Sequence, residues 1–178
     1  MLASIPTSRL ELAPLDPAVI TALLDGAVES IGLSAPDGWP DAHDAGFLRS
    51  RREQQEADPS RAQWVRGVVV AADTPVRVLA GHAGFHGPPG VNGPGTAGAL
   101  EVGHTIFTAH RGRGYATEAV AALIAWATHV HDVRHFYASV APDNAPSLAV
   151  IARLCFTRCG EQWDDEDGLE LVFELLTG

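Results

Sequence analysis

The residues with most chemical content run consecutively as His110-Arg111-Gly112-Arg113-Gly114-Tyr115-Ala116-Thr117. Two glycines spaced by one residue let the backbone turn tightly and approach a ligand closely. A helix that starts just after them aims unpaired backbone N–H groups and its positive dipole end at the same point. Together these make an anion cradle, to which Arg111 and Arg113 can add charge-assisted hydrogen bonds to phosphate oxygens. The same residues also suit a plain strand-to-helix turn with solvated arginines, because short Gly-rich matches are common. Two kinds of phosphate binder fall away. No Gly-Lys-Ser/Thr ending follows as in a nucleotide P-loop, and Thr117 stands where a dinucleotide fingerprint wants Gly or Ala.

Other reactive side chains offer less. His129 and His131 are two apart on a helix and do not face each other; at its end they would complement the negative pole when protonated. His82 and His86 can share a strand face, but without a carboxylate or Cys partner they are weak evidence for zinc, and no metal is expected. Cys155 and Cys159 are too few and too close for a disulfide framework and read as buried apolar residues. Trp39, Trp64 and Phe47 fit core packing better than an acceptor pocket. The run Asp164-Asp165-Glu166-Asp167 is a solvated hairpin tip that would favour a cationic substrate only if it bordered the site.

The elements that position these residues follow from periodicity. Arg9 to Ala13 is a first strand; Asp16 as cap and Pro17 at the first helical position announce a helix through Leu24. Asp41 to Glu56 reads as a second helix, preceded by a Pro/Gly-rich stretch, and the two are placed to cover a site. Strands follow at Trp64 to Ala71, Arg77 to Phe85 and Ala99 to Phe107, with a turn at Asp73-Thr74-Pro75 and a Gly/Pro-rich loop from Gly87 to Gly98. After Gly114 a 3.6 period sets in, with Ala116, Val120, Leu123, Ile124 and Ala127 on one face. A strand at His135 to Val140, a helix from about Pro146, and a hairpin of Thr157 to Trp163 with Leu169 to Leu175 complete the order.

The chain has 178 residues, of which 46% are hydrophobic, enough for one core, and a single domain over 1–178 is expected. A net charge of −10 with only 12 Lys and Arg excludes a nucleic-acid surface. The longest apolar run, Ala119 to Ala127, falls short of the roughly 20 residues that span a bilayer, so no membrane partner and a cytoplasmic location are expected.

Taken jointly, Glu101-Val102-Gly103-His104-Thr105-Ile106-Phe107, Arg111 to Ala119, Asn144-Ala145-Pro146-Ser147 and Leu154-Cys155-Phe156 resemble the GNAT superfamily of N-acetyltransferases. Within it they look most like the ribosomal-protein N-terminal acetyltransferase branch. The resemblance implies an α+β fold with a mixed, mostly antiparallel sheet of about seven strands, splayed between the fourth and fifth, and helices on both faces. It implies acetyl-coenzyme A as cosubstrate, its arm adding like a strand to the fourth strand beside Ile106, Phe107 and Thr108. The pyrophosphate would be held by Arg111, Gly112, Arg113, Gly114, Tyr115, Ala116 and Thr117. Asn144 matches a family asparagine that contacts the arm, and Ser147 a position near the thioester sulfur, though Ser147 equally suits a helix cap.

The resemblance also implies a primary amine acceptor, either a protein N-terminus or a small molecule, attacking directly in a ternary complex. Such an amine has an ordinary pKa of roughly 8 to 10.4 and must lose a proton. Glu101 matches the family position of a base acting through water, and equally suits a surface or cap-pairing Glu. Two departures stand out: Ile151 replaces the Tyr that protonates the leaving thiolate, and Cys155 replaces a Gly at a chain reversal. A non-catalytic acyl-coenzyme A binding module and a longer acyl group such as succinyl remain alternatives. Oligomeric state is open, a homodimer included.

Overall fold

The computed structural model describes residues 2–70, 77–165 and 168–178, so the Asp73-Thr74-Pro75 turn and residues 166–167 of the acidic run lie outside the described residues. The chain begins with β1 (Ile5–Pro6) and β2 (Leu10–Pro14), followed by α1 (Pro17–Leu24). Asp16 caps α1 as expected, accepting from the Val19 N–H at 2.9 Å, with Pro17 in the first turn. A two-residue strand β3 (Leu33–Ser34) precedes α2 (Ala42–Ala57), which Asp41 caps by accepting from Asp44 N.

Next come β4 (Val65–Val70), antiparallel to β2, then β5 (Arg77–Phe85), antiparallel to β4, and β6 (Leu100–Ile106), antiparallel to β5. A short 3-10 turn at Thr108–His110 leads to α3 (Tyr115–His131), then β7 (His135–Val140), α4 (Ala145–Arg153), β8 (Thr157–Asp164) and β9 (Gly168–Leu176). Among the described residues the sheet has nine strands where about seven were expected. The surplus is β1 and β3, two residues each, too short to leave a period in the sequence.

Strand order is β1-β2-β4-β5-β6-β7-β9-β8, with β3 added parallel to β5. β6 and β7 run parallel and pair only at Leu100 with Phe136 and Glu101 with Tyr137. Beyond Glu101 they part, while β6 runs on to Ile106 and β7 to Val140. This is the splay expected between the fourth and fifth long strands.

Helices cover both faces. On one, Val120, Leu123 and Ala127 of α3 pack without exposure against Leu12, Val68, Phe136 and Ile151. Removing a buried leucine such as Leu123 costs about 2 to 5 kcal/mol by loss of transfer energy plus the cavity left behind. On the other face, Ile20 and Leu23 of α1 and Leu48 of α2 meet Val65, Val69, Leu79 and Phe107.

Two expectations are corrected here. Cys155 and Cys159 are both exposed, not buried, because one follows α4 at the surface and the other sits on the edge strand β8. His131, expected to complement the negative end of α3 when protonated, is disfavoured as a cation there. It packs between Trp64 and Trp126, and burial, with Arg66 nearby, pushes its pKa down.

Candidate active site

β6 delivers the chain to the glycine loop, and both glycines there are left-handed, with φ of 74° at Gly112 and 80° at Gly114. A side chain at either position would be strained, which explains why this loop needs glycine. The space where a Gly112 side chain would stand is open, and only the Arg9 guanidinium approaches that of Gly114. Gly114 is also the N-cap of α3 and supplies no side-chain cap. Main chain, space and helix dipole therefore fit a pyrophosphate. The β7 edge that would have paired with Val102–Ile106 is withdrawn, which fits an extended ligand arm lying along β6.

The arginines are partly committed. Arg111 Nε donates to the Ile106 carbonyl at 2.9 Å, so this residue braces the strand end as well as carrying charge. Arg9, which the sequence did not single out, donates to the Arg113 carbonyl at 2.9 Å, stacks over Tyr115, and pairs with Glu118 at 2.7 Å.

Beside the strand end lies a cleft of about 600 Å³, lined by Asp37, Trp39, Asp41 and Asp44 on one wall and Thr105, Phe107 and Arg111 on the other. Trp39 leans on Phe107, with ring centroids 5.1 Å apart. Burial, then the neighbouring Asp41, raises the Asp44 pKa. His82 stacks on Phe47 and lies 3.8 Å from Asp44, too far for a hydrogen bond. Burial, reinforced by Arg51, His43 and His104, pushes its pKa down to about 4, so it is neutral near pH 7.

At the opposite end of β6, where β7 departs, Glu101 is 1% exposed. Its carboxylate accepts from Ser139 Oγ of β7 at 2.5 Å and from the Gly93 N–H at 2.6 Å. Gln162 of β8 donates to Ser139 at 3.1 Å and closes the cluster. A buried carboxylate requires such partners, and these tie Glu101 to three separate segments. His86 Nδ1 stands 3.7 Å from Glu101 Oε2, and its side chain is 48% exposed.

The sequence model of the acetyltransferase (GNAT) domain matches residues 9–157. The chain belongs to the GNAT acetyltransferase family. It is an acyltransferase. It is 26% identical over 153 residues to YjdG of Bacillus subtilis, an uncharacterised N-acetyltransferase, covering 84% of this chain and 87% of that protein. A Bordetella pertussis protein assigned to the GnaT family superposes with a TM-score of 0.69 at 24% identity, over 98% of this chain and 99% of the other. The ribosomal L7/L12 alpha-N-protein acetyltransferase RimL, in complex with coenzyme A, does so with 0.65 at 19% identity, over 98% of both.

In this acetyltransferase the residues singled out in the sequence fall into three places. Ile106, Phe107, Thr108 and the Arg111 to Thr117 loop are contiguous at the strand end; Glu101 lies at the strand parting; Asn144 and Ser147 start α4. The cap of α4 is Asn144, whose Oδ1 accepts from the Ser147 N–H at 3.2 Å, so the capping role considered for Ser147 belongs to Asn144. Ile151 is 2% exposed in the core. Trp64 is core as expected, whereas Trp39 lines the cleft. Among the described residues no cluster of three or more His, Cys, Asp or Glu is arranged around a metal, and no helix is long and apolar enough to cross a membrane. Arg9, Ser139, Gln162 and Gly93 were missed, since each acts through a partner far away in sequence and belongs to no local motif.

Proposed function

We propose that this chain is one domain that transfers an acetyl group from acetyl-coenzyme A to a primary amine, by direct attack in a ternary complex. The observation that carries this reading is the course of β6. It runs from Glu101, where β7 leaves it, to two left-handed glycines and the uncapped start of α3. Bound acetyl-coenzyme A supplies an activated acetyl thioester. The loop from Arg111 to Thr117 holds its pyrophosphate, Ile106, Phe107 and Thr108 flank its arm, and Asn144 and Ser147 bound it from α4. Glu101 acts on the amine proton only through an intermediary, since its own carboxylate is buried. The acidic wall of the cleft orients a cationic amine. The likeness to RimL supports a protein N-terminus as one acceptor class. A cytoplasmic location fits a reaction that consumes acetyl-coenzyme A.

Two measurements test this together. Calorimetry with coenzyme A should show affinity falling at least about tenfold in Gly114→Asp, about 1.4 kcal/mol, because an added side chain and negative charge meet the phosphates. Thiol release from acetyl-coenzyme A should appear with at least one member of a panel of free N-terminal peptides, polyamines, amino acids and aminoglycosides. Tight binding with no turnover on any acceptor would instead establish a binding module.

A further inference from the structure

Glu101 has both carboxylate oxygens engaged and 1% exposure, so a substrate amine cannot reach it. His86 bridges that gap. It follows β5 directly, and its backbone N–H donates to the Glu101 carbonyl at 2.9 Å, which fixes the two residues side by side. The imidazole lies along β6 in a defined sense. Nδ1 faces Glu101 Oε2 at 3.7 Å, while Nε2 lies over Gly103, only 3.2 Å from where a side chain there would begin. Gly103 is thus the residue that leaves room for the ring.

Gly103 is also two residues past the last β6–β7 pair, at the mouth of the splay. Thr105, two residues further on and on the same face, lines the acidic cleft. One ring nitrogen therefore lies toward a buried carboxylate and the other over Gly103, just past the last β6–β7 pair.

We propose that His86 is the group that takes the amine proton, with Glu101 behind it as the positioning residue that holds the proton-accepting nitrogen toward the substrate. This rests on the acetyl-transfer reading above and names its base. Glu101 fixes the neutral ring with its proton on Nδ1, leaving the Nε2 lone pair free. The ammonium gives one proton to Nε2, and the freed nitrogen lone pair forms the C–N bond to the acetyl carbon. The C–S bond breaks, sulfur leaves with the bonding pair, and the second nitrogen proton goes to that thiolate. His86, half exposed, returns its proton to water. The 3.7 Å separation is longer than a hydrogen bond, as catalytic pairs often are before substrate binds.

The charges around the ring are known. Arg51 of α2 donates to the His86 carbonyl at 3.0 Å, Arg61 lines the same small cavity, and Glu101 faces the ring from β6. His82, the nearest imidazole along β5, is neutral near pH 7.

The test uses the full chain. Nitrogen-15 NMR of the histidine rings, assigned by comparison with His86→Gln, should show neutral His86 carrying its proton on Nδ1, and that preference should vanish in Glu101→Gln. A proton on Nε2 in the wild type overturns the proposal, and this reading requires no turnover. With the best amine, His86→Gln should lower kcat/KM roughly a hundredfold and abolish the acidic limb of its pH profile, with coenzyme A affinity unchanged. A limb that survives in His86→Gln but not in Glu101→Gln overturns His86 while leaving acetyl transfer intact. A wild-type protein with the Nδ1 proton that acetylates no amine refutes the acetyl-transfer reading, and the catalytic role of His86 with it.

Discussion

Cys155 has a φ of 62°, the left-handed conformation that costs an L side chain roughly 1 to 2 kcal/mol and glycine almost nothing. The residue ends α4, where its N–H bonds back to the Ala152 carbonyl at 3.1 Å, so the turn itself dictates this geometry. Cys155→Gly should therefore raise stability by about 0.5 to 1 kcal/mol after the extra unfolded-state entropy of glycine is subtracted, moving the thermal midpoint up by roughly 1 to 4 °C. An unchanged or lower midpoint would show that the thiol makes compensating contacts. The need for a chain reversal here was legible in the sequence from the Leu-Cys-Phe pattern. The exposure of the thiol was not, because free cysteine is usually buried and nothing in its neighbours says otherwise. Glu101 shows the same split: its place on the strand could be read from the motif, but its partners Ser139 and Gly93 come from a different strand and a loop.

At the scale of elements, the start of α3 is fastened by a segment the sequence left unremarked. Glu118 accepts from Thr7 Oγ at 2.6 Å, Ser8 Oγ at 3.1 Å, the Arg9 N–H at 2.9 Å and Arg9 Nε at 2.7 Å. Burial alone would raise the Glu118 pKa, but the hydrogen bonds from Thr7, Arg9 and Ser8 outweigh it and hold it below the ordinary 4.5. A carboxylate with a lowered folded pKa contributes stability that is present above its unfolded pKa and lost as pH falls through the folded value. At neutral pH, Glu118→Gln should cost on the order of 1 to 3 kcal/mol, the range for hydrogen bonds to a charged group. Denaturation followed stepwise below pH 4.5 should show the wild type losing that advantage. A gap between the two proteins that stays constant across the acid range would mean the tether does not depend on the carboxylate charge. The helix was plain from its 3.6 period, whereas a clasp between residues more than a hundred positions apart leaves no periodic signal.

Across the whole molecule, the fold is dictated by patterns that run through entire elements, and the opening between β6 and β7 was reachable through motifs at its two ends. The acidic cleft was not legible, because Asp37, Asp41 and Asp44 come from a loop and a helix start with no motif, and only folding sets them opposite Thr105 and Phe107. Their grouping, in a chain of net charge −10, sets up a negative potential at the cleft. A cationic acceptor should then bind more weakly as salt rises, since exposed charges are screened beyond about 8 Å at physiological ionic strength. The KM for the best amine should rise severalfold between about 50 and about 500 mM salt, with kcat nearly constant. Asp37→Asn is the informative variant. Asp41 caps α2, so its loss would disturb the helix, and Asp44 is buried, whereas Asp37 is exposed and contributes charge alone. Asp37→Asn should raise KM at low salt and flatten the salt dependence. A neutral best acceptor, or a KM that ignores salt in the wild type, would show that the acidic wall plays no part in choosing the amine.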